Sequence, residues 1–114
     1  MKKRLISSYD EANDTFAGKF EGEKGLASDY SIYEGVFLGL DRDNFPNSIY
    51  VDGASKVFNI PKEVLENPNV KIFIDCNRTF LDFCMFIEDL KIFSLKCRNH
   101  FGIPEINFSI DSNY

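Results

Sequence analysis

Apolar residues recur at every second position through much of the chain. In the clearest run Val70, Ile72, Ile74 and Cys76 alternate with Lys71, Phe73 and Asp75, the period expected of a strand with one buried face. Phe16, Gly18 and Phe20 alternate with Ala17 and Lys19, and Val36, Leu38 and Leu40 alternate with Phe37, Gly39 and Asp41. Within 91–97, Phe93, Leu95 and Cys97 face one way and Ser94 and Lys96 the other. Residues 80–87 form a nearly continuous apolar run broken only by Asp82, which predicts a strand covered on both faces. Leu5–Tyr9, the apolar strand around Ile49 and Val51, and Ile106–Ile110 complete the set.

Asp, Asn, Gly and Pro punctuate these runs, as turn chemistry requires. One segment reads as helical: Pro61 suits a first helical turn, Glu63 and Glu66 favour helix, and Asn67-Pro68-Asn69 stops it. Residues 54–58 are a candidate for another helical turn. The prediction is a mainly β (α+β) fold, an antiparallel meander or small sandwich of seven or eight short strands with one short helix near 61–67. The 114 residues are read as a single domain, with a β module over 1–58 and a helix plus second β layer over 59–114.

Composition adds a core and removes some partners. Twelve Phe and five Tyr without Trp supply large side chains, each worth about 1.5–3 kcal/mol when fully buried. The net charge of −5 argues against nucleic acid or an anionic membrane as a partner. No stretch reaches the length of a membrane span. The basic cluster Met1–Arg4 is followed at once by Ser7, Ser8, Asp10 and Glu11, so no signal peptide is expected and the chain reads as cytoplasmic.

The candidate chemistry is sparse. Asp10, Glu11 and Asp14, and further on Asp41 and Asp43, are carboxylates spaced within loops, as a divalent cation would need. Asp and Asn also build turns by bonding their own backbone, and Asp41–Asn44 lacks the glycine and glutamate of a calcium loop. No cofactor is expected. Cys76, Cys84 and Cys97 lack metal-ligand spacing and read as reduced, buried thiols. His100 is the single histidine, with no nucleophile placed beside it. Glu21–Gly25 has like charges where a phosphate would sit. The second-half phenylalanines point elsewhere: Phe73, Phe80 and Phe86 lie opposite apolar faces of their own strands. Together with Tyr50 they are candidate interface residues; a second copy of the chain is the simplest cover, and a closed barrel or a sandwich core is the alternative.

Residues 4–58 resemble the prokaryotic domain-of-unknown-function family 2283. The resemblance rests on Tyr9, Asp10, Asp14 and Phe16, then Gly35, Leu40, Asp41 and Asp43, then Ile49, Val51, Ala54 and Ser55. The chain departs from that pattern at Ala17, around Asn44-Phe45, and at Tyr50 and Asp52. The resemblance implies a small β module without assigned catalytic residues, and an antitoxin or binding role.

These readings lead to a non-catalytic, self-associating protein-binding module, antitoxin-like or a scaffold, whose acidity suits a small basic protein. Two other readings stand beside it. A small enzyme or metal-binding protein would require the acidic turns to converge; an apolar-ligand binder would require an open cavity lined by second-half phenylalanines.

Overall fold

The computed structural model describes residues 1–22 and 24–113; Glu23, in the Glu21–Gly25 stretch, lies outside the described residues. Nine strands follow in chain order: β1 (Lys2–Asp10), β2 (Thr15–Phe20), β3 (Ser28–Tyr33), β4 (Val36–Leu40), β5 (Pro46–Asp52), β6 (Val70–Cys76), β7 (Phe80–Ile87), β8 (Leu90–Arg98) and β9 (Ile106–Asp111). A single helical turn, α1 (Ala54–Val57), and a 3₁₀ turn at Lys62–Leu65 separate β5 from β6. The fold is mainly β, as the period-two runs predict.

The strands form one sheet in the order β3-β4-β5-β2-β1-β9-β6-β7-β8. Its two edge strands curl toward each other, giving a nearly closed barrel. Tyr33 of β3 meets Phe93 of β8 at 5.3 Å between ring centroids, and Tyr30 meets Phe101, just beyond β8, at 5.3 Å. Side chains rather than a hydrogen-bonded ladder therefore bring the edges together, and the aromatic cover shields them from further strand pairing.

Alternation sets the interior. Phe16 and Phe20 of β2, Leu38 and Leu40 of β4, Ile72 and Ile74 of β6, and Phe83 and Met85 of β7 all point inward and are essentially inaccessible. Gly18 lies between Phe16 and Phe20 because Leu5 and Ile49 fill its place: a Cβ there would stand 2.8 Å from Leu5 Cδ1. Phe83 and Phe58 pack edge-on against Phe93, so the barrel is filled by rings from both halves of the chain.

Several details differ from the expectations. The segment at 61–67 is only the 3₁₀ turn: Pro61 before it is extended, Glu66 after it is extended, and Asn67 is left-handed at φ 49°. The strand beyond the expected seven or eight is β3, where only Ile32 is buried and the polar side chains face water. Not every pairing is antiparallel, since β1 and β9 run parallel over Lys2–Arg4 and Ser109–Asp111. The chain covers β7 on one face only, with Leu81, Phe83, Met85 and Ile87 buried and Phe80 exposed opposite them.

Candidate functional site

The two acidic turns are held apart by the sheet. Thr15, next to Asp14, pairs with Asp52 at the C-terminal end of β5, whereas Leu40, next to Asp41, pairs with Pro46 at its N-terminal end. The length of a strand, roughly 20 Å for six steps, therefore separates Asp10 and Asp14 from Asp41 and Asp43. The convergence that an acidic catalytic or metal site would need is not present. Among the described residues no group of three or more His, Cys, Asp or Glu side chains is arranged to hold a metal ion.

Each carboxylate has local work. Asp10 accepts hydrogen bonds from the backbone and side-chain nitrogens of Asn13, and these hold its carboxyl below the usual range. Asp41, nearly inaccessible, accepts from the backbone N–H groups of Asp43 and Phe45 at 2.8 and 3.0 Å. Both are Asx-type turns. Asp43 pairs on the surface with Lys24 at 3.0 Å.

Asp14 does something the sequence does not announce. It sits at φ 54° at the β1–β2 hairpin tip, and its carboxylate reaches across to the start of α1. Tyr9 donates its hydroxyl to Oδ1 at 2.6 Å, Ser55 N–H donates to Oδ1 at 3.0 Å, and the Ser55 hydroxyl donates to Oδ2 at 2.7 Å. The backbone closes the same link, with Ala54 N–H donating to Asp14 O at 2.8 Å. No side chain of α1's own N-terminal residues caps it, so the distant aspartate satisfies one of its free N–H groups. Burial pushes the Asp14 carboxyl up, but the Tyr9 and Ser55 donors outweigh it and leave it below its ordinary value. Tyr9 is raised, by burial and by donating to Asp14. Tyr9, Asp14, Ala54 and Ser55, which carry part of the resemblance described above, thus meet in a clasp between hairpin and helical turn. Their spacing signalled the turns but not the link across 41 residues.

Beside this clasp the sheet opens. The β1–β9 pairing ends at Arg4 and Asp111, while β1 continues to Asp10 paired only with β2. A cleft of about 590 Å³ lies along β1 from Arg4 to Tyr9. Its remaining walls are Phe16, the 65–69 segment, Ser112 and Asn113. Glu66 stands at this cleft, held above the usual carboxyl range by its hydrogen bond with Glu11 and by the neighbouring charges of Glu11 and Glu63. Sequence reasoning passed over Glu66 as a helix-favouring residue.

The aromatic candidates divide. Phe73 and Phe86 meet edge-on at 5.7 Å on the outer face of β6 and β7, as diagonal neighbours, because Phe73 is registered against Cys84. Phe80 lies on the same face of β7 at its other end, under Lys96 Nζ at 5.0 Å, and Lys91 Nζ stands 5.8 Å from the Phe86 ring. Tyr50 is remote from them: it is on β5 beside Phe37, with β2, β1 and β9 intervening before β6.

The remaining candidates are quiet. Burial pushes the Cys76 thiol up to about 12 and raises Cys84 and Cys97 as well, the reverse of what a nucleophilic thiol needs. His100 is exposed in the loop after β8, edge-on to Phe101. No helix among the described residues is long and apolar enough to cross a membrane. Comparison with known proteins found no matching family model, no matching curated protein and no matching solved structure.

Proposed function

We propose that this is a non-catalytic, cytoplasmic binding module that pairs with a second copy of itself through the outer face of β6, β7 and β8. The observation that carries the reading is the Phe73–Phe86 pair: two rings in contact on the outside of strands whose inner faces are fully packed, with Phe73 39% exposed. Phe80, 38% exposed, extends the same face. Large rings left in water on a strand surface mark interfaces more often than they mark stability.

The charges around the rings support pairing of like with like. Asp75 and Asp82 stand directly opposite each other at one end of this face, with Lys96 in register on the far side of Asp82, while Lys71, which pairs with Asp89 at 3.0 Å, is registered against Phe86 near the other end. A two-fold axis near Phe73 would set the aspartate end of one copy over the lysine end of the other, relieving the like-charge pair. Neutralising or scaffolding a small basic protein, and membership of the 2283 family, belong to the same proposal. The net charge of −5 supports the first; the second rests on the sequence resemblance alone.

The test is solution mass by light scattering and sedimentation, for the parent chain and for Phe73→Ser with Phe86→Ser. A dimer that the double substitution turns into a folded monomer is the expected result. A parent chain that is monomeric at tens of micromolar, or a dimer indifferent to both substitutions, defeats the proposal.

A further inference from the structure

The cleft along β1 is bounded on one side by a row of backbone hydrogen-bonding groups. Arg4 O accepts from Glu21 N–H on the β2 side, and Met1 O accepts from Ser109 N–H on the β9 side. Successive residues of a strand direct their N–H and C=O groups to alternate sides. Leu5, Ser7 and Tyr9, in step with Met1, therefore direct theirs toward β9; the Arg4–Asp111 register still occupies the Leu5 N–H, and from the Leu5 C=O onward β9 is no longer there. Arg4, Ile6 and Ser8 are the residues bonded to β2.

The departure of β9 is built in. Ser112 N–H donates to Val70 O at 2.9 Å, Val70 N–H donates to Ser112 Oγ at 2.8 Å, and Asn113 Nδ2 donates to Asn69 Oδ1. The chain after β9 is thus drawn toward the start of β6 and away from β1. On the other flank the Asp14 clasp fixes Tyr9 and the hairpin tip. The result is a slot of about 590 Å³, within the size range of ligand sites, with a polypeptide edge on one side and polar groups of Asn67, Asn69, Ser112 and Asn113 on the other.

We propose that this slot takes an extended segment of a partner polypeptide, which adds to β1 over Leu5–Tyr9 in the position β9 vacates, with a cationic side chain toward the Tyr9 end. An edge of unpaired N–H and C=O groups is the chemistry of strand addition. Charge selects the occupant: of the residues lining the slot Glu66 is the carboxylate, with Arg4 at the far end and Lys62 Nζ on Glu11 O at 3.2 Å nearby, and the chain as a whole is acidic. A lysine or arginine beside Glu66 would separate the Glu66 and Glu11 carboxyl groups, which now crowd each other. This site is independent of the aromatic face of β6–β8, and either can fail without the other.

The experiment uses the full chain and a blocked peptide of alternating valine and lysine as probe. Controls are the same peptide with glutamate for lysine and with its alternate amides methylated. Amide NMR reads the site. The expected result is saturable shifts confined to residues 5–9, 65–69 and 112–113, with the Ser7 amide slowed in hydrogen exchange. The glutamate peptide should bind about tenfold more weakly or less, and the methylated peptide should not slow Ser7. Ser7→Pro, which removes a donor facing the slot and leaves the β2 ladder intact, should abolish the response while preserving the far-ultraviolet spectrum. Should that variant unfold, Glu66→Lys replaces it, with loss of the lysine-peptide response expected. Two results overturn the proposal: a Ser7 amide in the free protein that exchanges as slowly as Ile6 and Ser8, or equal binding of the lysine, glutamate and methylated peptides.

Discussion

Replacing Asp14 by Asn tests the clasp most directly. The carboxylate takes hydrogen bonds from Tyr9 at 2.6 Å and from the Ser55 hydroxyl and N–H at 2.7 and 3.0 Å. Asparagine keeps the size, tolerates φ 54° and retains one carbonyl oxygen. It loses the charge and puts an NH₂ group against a donor. A hydrogen bond to a charged acceptor is worth about 1.5–3 kcal/mol, and a neutral one about 1 kcal/mol. Because Tyr9 and Ser55 are only half-buried, the stranded donors recover part of this from water. The net loss expected for Asp14→Asn is therefore about 2 kcal/mol, or a fall in Tm of roughly 8 °C.

Urea unfolding followed by far-ultraviolet circular dichroism suits a chain without tryptophan. Tyr9→Phe and Ser55→Ala should each cost about 1 kcal/mol. Their double mutants with Asp14→Asn should cost less than the sums, since each pair shares the same bonds. The pH dependence has a definite sign. Asp14 is held below its ordinary carboxyl pKa of 3.8 in the folded chain, so its stabilisation is complete above that value and is lost as pH falls through the folded pKa. The parent and Asp14→Asn stability curves should thus converge in strong acid. A loss at neutral pH below about 0.5 kcal/mol, the scatter of ordinary surface substitutions, or strictly additive double mutants would refute the clasp.

Other substitutions probe other parts of the structure. Gly35→Ala places a Cβ 2.8 Å from Asp52 O at a backbone φ of +82°; with the left-handed penalty added to a clash against fixed backbone, it should cost about 2–3 kcal/mol in the same urea assay, and a neutral result would contradict the turn geometry. Glu66→Gln should raise Tm at pH 7, because Glu11 holds the Glu66 carboxyl above its usual 4.5. For a raised carboxyl the penalty is present above the folded pKa and relieved as pH falls through it, so the gain should vanish near pH 3; an equal gain at both pH values would count against the acid pair. Cys76, inaccessible and with its thiol pushed up to about 12, should resist iodoacetamide at pH 8 until the chain unfolds. Cys84, half-buried on the outer face, should label before it, and peptide mass spectrometry showing Cys76 labelled first would reverse the burial assignment.

Strands with one strongly apolar face could be read directly from the residues. In β6 every second side chain from Val70 to Cys76 is buried, so periodicity and structure carry the same information. β3 escaped because its fixing contacts are distant: Ile32 is buried, while Tyr30 and Tyr33 pack on rings from the other end of the chain. The 61–67 segment had helix-favouring residues but a left-handed Asn67 and Pro68 so near Pro61 that only a 3₁₀ turn fits. Of the candidate sites, the outward placement of Phe73, Phe80 and Phe86 followed from strand parity alone. The Asp14–Ser55 link and the gap beside β1 did not. Both depend on which strands neighbour each other, and one-dimensional periodicity contains no pairing order.

That pairing order also explains why the gap lies along β1. β1 lies between two neighbours and keeps only one of them to its end: it is paired in parallel with β9 over Lys2–Arg4, and on its other side it is paired antiparallel with β2 as far as Asp10. A parallel pair between the first and last strands is closed by no hairpin, so no turn fixes how far it runs. Its extent is set by what competes for the ends. Val70 and Asn69 draw Ser112 and Asn113 toward β6, and Asp14 anchors Tyr9 toward α1. These two anchors pull the strands apart from opposite sides, leaving the open edge at the junction between the β2–β5 and β6–β9 halves. An interior edge of this kind is shielded from the indiscriminate pairing that threatens outer strands, yet remains able to accept one short segment of matching length and charge.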